Sequence, residues 1–291
     1  MKKYVKVLSG ITAFILIIGI LVVANAFVGN PVSKALANNT GKKYVSQNYT
    51  NMNLDISDVY YSFKDGYYHA DIKSRTSKDT YFEITISSLG KVEYDSYEDN
   101  VMKKFNTYQR LNDEYDSKLK RIFEDKSFPY DSDIYIGELK EIPLENLDNE
   151  FGSVYGMSLS GLELDKEYDI NEMGKKYGHI VFYIQDEDVS IKRSSEILLD
   201  IKDILDKNNI SFYAVDFTLE NYPKEDEKKN TTKYKSINIA EFLYKDIYKK
   251  GLENRIERAA DKLQEYYKEQ DEIKKEMESI YEKENEIERT I

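Results

Sequence analysis

The chain has no cysteine, no tryptophan, four prolines and two histidines. Without cysteine there is no disulfide framework, no thiolate metal site, no thiol nucleophile and no cysteine for lipid attachment. The two histidines, His69 and His179, have no second histidine at metal-ligand spacing, so a metal site has little support. Each reads as an ordinary strand residue, His69 on the polar face of a sheet and His179 at a strand edge. A Gly-rich phosphate loop closed by Lys-Ser/Thr is missing. "SLSG" around Ser158 and Ser160 is not the Gly-x-Ser-x-Gly elbow of a serine hydrolase. Asp131-Ser132-Asp133 and Asp186-Glu187-Asp188 lack the ligand pattern and central Gly of a calcium loop, and read as solvated turns and a helix cap. No cofactor is implied. Positive charge is also short: the net charge of -12 argues against nucleic acid and against flat binding to an anionic bilayer surface.

Charge of either sign is absent from Val7 to Ser33, and this is the most informative gap. As a helix, Val7 to Gly29 rises about 35 Å, enough to cross a hydrocarbon core of ~30 Å with some tilt. Lys2, Lys3 and Lys6 precede it, which places the N-terminus inside and the rest of the chain outside. Ala24-Asn25-Ala26 has the small-x-small form of a signal-peptide cut site, so a cleaved signal competes with a retained anchor. Length favours the anchor, since signal h-regions run about 7–15 residues.

Beyond the span, Asn30-Pro31 is a helix start, with Asn as N-cap and Pro in the first turn. Val32, Leu36, Tyr44 and Val45 form the expected buried stripe of a helix to about Gln47, which Gly41 weakens. "VYYSFKDGYYHADIK" contains Asp65-Gly66, a two-residue hairpin signal. Pairing outward from it sets Tyr61 opposite Ala70, Val59 opposite Ile72 and Ser62 opposite His69. Phe82, Ile84 and Ile86 supply a third strand, and Val92 with Tyr94 begins a fourth. A helix at 98–125 carries the stripe Val101, Phe105, Tyr108, Leu111, Tyr115, Leu119 and Ile122. Pro129 ends it and marks a domain boundary. "DIYIGELKEI", "HIVFYIQ", "SFYAVDFTL" and "KYKSINI" read as strands, with a helix between the second and third that Asp188 caps. "NYPKEDEKKNTT" reads as a charged loop.

A final helix is expected from near Ala240. Leu252, Ile256, Ala259, Leu263, Tyr266, Ile273, Met277, Ile280, Ile287 and Ile291 follow alternating four-three spacing, interrupted by Gln270 and Glu284. The fold class is therefore α+β. A cytoplasmic stub at 1–6 and a transmembrane anchor at 7–29 precede α+β domains at 30–128 and 129–250. A heptad helix occupies 251–291.

The stretches "NPVSKALA", "VYYSFKDGYYHADIKSRTSKDTYFEITISSLGKVEYDSY" and "NTYQRL" resemble the YfjL-like family of small membrane-anchored Gram-positive proteins. The abundance of Tyr, Lys, Asn and Ile is similarly that of low-GC Gram-positive bacteria. The resemblance implies no catalytic residue. The helix-then-meander layout is similar, at fold level only, to PepSY-type domains, which are associated with peptidase inhibition or regulation at the cell envelope.

Two surfaces could bind a partner. Tyr60 and Tyr67 lie on the outward face of the hairpin, where exposed aromatics could stack on a glycan or peptide. The competing reading, which is preferred, covers them with the helix at 98–125. The second surface is the seam at Tyr266, Ile273, Met277, Ile280 and Ile287, which self-association or a partner helix would bury. The leading expectation is a membrane-anchored, extracytoplasmic binding or interaction protein without enzymatic activity. A regulator or inhibitor of an envelope peptidase is the alternative. A carboxylate-based extracellular hydrolase has the least support, because no carboxylate pair stands out.

Overall fold

The computed structural model of the chain describes residues 2–142, 155–221 and 234–290. It is an α+β protein with two sheets, a long apolar N-terminal helix and a long C-terminal helix. Two compact units form, residues 1–110 with 159–166, and residues 111–158 with 167–291. The division falls inside a helix and not at Pro129. The loop expected at 221–232 lies, after Asn221, outside the described residues.

In the first unit, α1 (Lys2–Val28) is, among the described residues, the one helix long and apolar enough to cross a membrane. Its described side chains are all exposed. The chain turns at Gly29, and α2 (Pro31–Asn48) starts as its sequence demands. Asn30 Oδ1 accepts from the N–H of Val32 and Ser33, and Pro31 occupies the first turn. The buried stripe is only partly the expected one: Val45 is buried and Tyr44 packs against the core. Val32 and Leu36 are exposed, and Ala37, Gly41 and Val45 face the sheet. A Cβ on Gly41 would meet methyls of Ile56, Ile86 and Ile84 at 3.3–3.4 Å. Close approach of the helix backbone to the sheet selects small residues at Ala37 and Gly41, positions that a search for large apolar residues passes over.

The first sheet is antiparallel: β1 (Leu54–Ile56), β2 (Tyr60–Tyr61), β3 (Tyr68–Ser74), β4 (Tyr81–Ile86) and β5 (Val92–Asp95), with β1 and β2 both on β3 and the order continuing through β4 to β5. Phe82, Ile84 and Ile86 are buried as their alternation requires. Burial of an isoleucine of this kind contributes roughly 2 kcal/mol. The hairpin register differs from expectation. Tyr60 pairs with His69 and Tyr61 with Tyr68, a slip of two residues that preserves the faces. Residues 62–67 form a wider loop, because Asp65 Oδ1 accepts the Tyr67 N–H and the Gly66 N–H returns to the Ser62 carbonyl.

The helix expected at 98–125 is two pieces. A π-helical turn (Glu98–Met102) is separated from α3 (Phe105–Phe123) by Lys104 at φ 66°. Phe105 is exposed. The start of α3 is set by Asn106, whose side chain donates to the carbonyls of Asp79 at 3.0 Å and Tyr81 at 2.6 Å. Nearby, Arg110 grips the fully buried Asp79 with two hydrogen bonds, at 2.7 and 2.9 Å. Asp165 closes the cluster reciprocally: its N–H donates to Asp79 Oδ2, and its Oδ1 accepts from the Asp79 N–H. This clasp attaches residues 159–166 to the first unit.

The second unit contains β6 (Asp131–Leu139), α4 (Ile170–Tyr177), β7 (Gly178–Gln185), α5 (Ile191–Lys207), β8 (Ala214–Glu220), β9 (Ser236–Leu243) and α6 (Leu252–Thr290). Its sheet runs β6-β7-β8-β9 and is antiparallel except for β7 with β8, the pair joined through α5. Three details differ from expectation. Asp131 and Asp133 stand within β6 and not in a turn. Ser190, not Asp188, caps α5, accepting the Arg193 N–H. The last helix starts at Leu252 and not near Ala240, because Ala240–Leu243 complete β9 and Gly251 resets the chain at φ 70°. From Leu111 onward α3 belongs to this unit. Its buried Leu119 lies where a Cβ on Gly137 would be, and Phe123 meets Phe182 edge-on at 4.7 Å.

Candidate functional site

The end of α1 is held by the Tyr-rich hairpin. The Tyr68 hydroxyl accepts the Asn30 N–H at 2.7 Å and donates to the Asn30 carbonyl at 3.1 Å. The Tyr61 hydroxyl donates to the Ala26 carbonyl at 3.2 Å, and Phe63 meets Phe27 with ring centroids 6.1 Å apart. Gly29, at φ 73°, has no room for a side chain, since a Cβ would fall 2.7 Å from Tyr61 and 2.9 Å from Tyr68. Both residues of the Ala26-Phe27 bond are therefore in the last turn of a helix and in contact with the hairpin, Ala26 through Tyr61 of β2 and Phe27 through Phe63 of its loop.

Tyr60 and Tyr67 are 43% and 38% exposed, so the covered reading is overturned. The buried stripe of α3 is spent in the second unit and leaves this face open. Tyr60 nonetheless has an internal role. It stacks on His69 at 5.6 Å and donates to Glu83 Oε2 at 2.8 Å. His69 is buried, with Nδ1 2.8 Å from Glu83 and Nε2 3.0 Å from Asp65. It is not a sheet-surface residue, and Tyr60 is the side chain that shields it.

His179 is placed in the same manner. Cross-strand pairing sets it beside Glu138 on β6, and Asp216 projects from the same face of β8. Nδ1 donates to Glu138 Oε1 at 3.0 Å. Nε2 lies 3.0 Å from Asp216 Oδ1, an ion-pair contact not aligned as a hydrogen bond. A bulge in β9 puts Glu241 at φ 49°, which aims its N–H at Asp216 Oδ1. Lys140 pairs with Glu241 and lies 4.6 Å from the centre of the Tyr155 ring. Burial alone would lower the His179 pKa, but the carboxylates of Asp216 and Glu138 outweigh it and raise the value to about 9. The shift favours the protonated ring at neutral pH, held between the two carboxylates. Sequence reasoning missed this cluster. The available signal was Asp216 interrupting the apolar run of "SFYAVDFTL".

The C-terminal helix presents the open surface. Leu252, Ile256 and Leu263 are buried, and no side chain from Gln264 to Glu282 is. Tyr266 is half-buried, while Ile273, Met277 and Ile280 are 50%, 66% and 56% exposed. The side chain of Ile287 lies outside the described part. Four of the predicted seam residues thus share one helix face, and Tyr60 and Tyr67 form a separate patch in the other unit. The cluster around His179 leaves Tyr155 Oη and His179 Nε2 without a hydrogen-bond partner among the described residues but is closed off by burial, whereas the apolar stripe of α6 meets water, so this stripe is the candidate site.

Comparison with known proteins agrees with the two-unit division. A model described as YfjL-like, N-terminal domain matches residues 3–96, and one described as YfjL-like C-terminal domain matches residues 114–257. No curated protein and no solved structure matches. The stripe beyond Leu263 lies past both matched ranges. Since the matches together span most of the chain, it belongs to the YfjL-like family.

Proposed function

We propose that the chain is a single-pass membrane protein that displays its two units on the extracytoplasmic side and acts by binding protein, without catalysis. The observation that carries this reading is the apolar stripe of α6, exposed from Tyr266 to Ile280 except for the half-buried Tyr266 and the polar Gln270. The side of the membrane is supported by Lys2, Lys3 and Lys6 ahead of the span. Retention of the span is supported by the joint. The Ala26 carbonyl is engaged by Tyr61 and the residues around it are helical, whereas a protease reads an extended, unengaged backbone. The absence of catalysis is supported by the sequence, which has no cysteine nucleophile, no Gly-x-Ser-x-Gly elbow and no Gly-rich phosphate loop.

Regulation or inhibition of an envelope peptidase is the second reading, and what favours it is α2 followed by an antiparallel meander, as in PepSY-type domains. A photoreactive residue at Met277, in the full chain in intact cells, tests the main reading. A discrete protein adduct is expected, lost on adding Ile273→Lys, and its absence refutes a binding role for α6. Peptides spanning Ala26-Phe27 are expected in the membrane fraction. A chain that begins at Phe27 in the medium removes the anchor.

A further inference from the structure

The stripe of α6 also carries information about what covers it. We infer that its partner is the same helix of a second copy, in parallel and in register. This rests on the binding reading above and names its occupant. In heptad terms Leu263, Gln270 and Met277 are a positions, and Tyr266, Ile273 and Ile280 are d positions. The flanking residues decide the direction. In a parallel pair, each g residue faces the e residue five positions on in the other helix. Glu269 then faces Lys274 of the second copy, Lys262 faces Tyr267, and Glu276 faces Tyr281. One pair is an ion pair, Lys262 sets a cation beside an exposed tyrosine, Glu276 lies where the Tyr281 hydroxyl can donate to it, and no pair brings like charges together.

The antiparallel alternative fails on the same residues. Overlapping the stripe from Leu263 to Ile280 antiparallel puts Glu269 against Glu276, twice by symmetry. It also sets the amide of Gln270 against Ile273, where it has no hydrogen-bond partner. In parallel, Gln270 meets Gln270, and two amides can bond each other, the usual way a polar a residue sets register. The described stripe spans fewer than three heptads, too short for a tight pair in dilute solution. Two chains anchored in one membrane share an orientation and a raised local concentration, both of which favour the parallel pair.

The absence of cysteine makes the test direct, because one introduced thiol is the only one in the full chain. Ile273→Cys and Ile280→Cys sit on the seam, and Ser279→Cys sits at an outer c position. All three sites are solvent-exposed, so the fold is not at stake. In native membranes under mild oxidation, both seam variants are expected to give a band at twice the chain mass, and Ser279→Cys is expected to give at least fivefold less. Adding Met277→Lys to Ile273→Cys should abolish the band. Dimers at Ser279→Cys as strong as at Ile273→Cys, or no dimers from either seam variant, overturn the inference. In the second case, a Met277 adduct to a different protein would leave the binding reading standing. No adduct at all would remove both.

Discussion

Replacing His179 with Gln removes the cation shared by Glu138 and Asp216 and leaves two carboxylates facing each other across β7. The energetic weight of that cation follows from its pKa. The folded value is about 9 against 6.5 for the free side chain. At 1.36 kcal/mol per unit, protonation favours the fold by roughly 3 kcal/mol, reduced toward 2 because solvent reaches Glu138 and Asp216. The sign follows from the direction of the shift. A raised pKa means that the stabilisation is whole below about pH 6.5 and fades as pH rises through about 9. The assay is amide hydrogen exchange at Ile180, Phe182 and Ile184 of β7 in the full chain in detergent micelles, corrected for the intrinsic effect of pH. Wild-type protection should fall roughly 30- to 150-fold between pH 6 and pH 10, the conversion of 2–3 kcal/mol. His179→Gln should start lower and lose the histidine step. The ring itself should titrate near 9 by NMR, assigned by its loss in the variant. A titration at or below 6.5, or equal pH slopes in the two proteins, refutes the reasoning.

Arg110→Met leaves Asp79 buried without its cation, and breaking such a pair costs about 3–5 kcal/mol. Exchange at Ile72 and Ile84 should accelerate accordingly. Arg110→Lys should recover only part, since Lys cannot make both hydrogen bonds, and a cost under ~1 kcal/mol for Met would show that Asp79 does not depend on Arg110. At Gly41, Ala should be near neutral, because a gain of up to ~1 kcal/mol in helix propensity offsets the tight contacts with three isoleucine methyls. Gly41→Leu should lose about 1–3 kcal/mol by overpacking, read as a lower urea midpoint, and equal midpoints for the two variants would sink the close-packing account.

Much of this protein is written locally. A charge-free run longer than a bilayer's hydrocarbon core determines α1, the Asn30-Pro31 cap determines where α2 starts, and alternation in "YFEITI" determines which face of β4 is buried. The four-three spacing past Leu263 determines the stripe of α6, because helical period alone aligns those residues. Tertiary structure decided the rest, where a residue's role depends on a partner distant in the chain. Gly41 is a packing face only because three isoleucines of the sheet approach it. Asp65-Gly66 by itself predicts a two-residue turn, but Asp65 instead serves the Tyr67 N–H and His69, which moves the pairing by two. The expected helix at 98–125 breaks because Asn106 must reach carbonyls on β4 and just before it. His179 reads as a strand-edge residue until β6 and β8 bring Glu138 and Asp216 to its two nitrogens. No local pattern encodes that charge, because it arises from three strands whose order is set by the packing of the whole sheet.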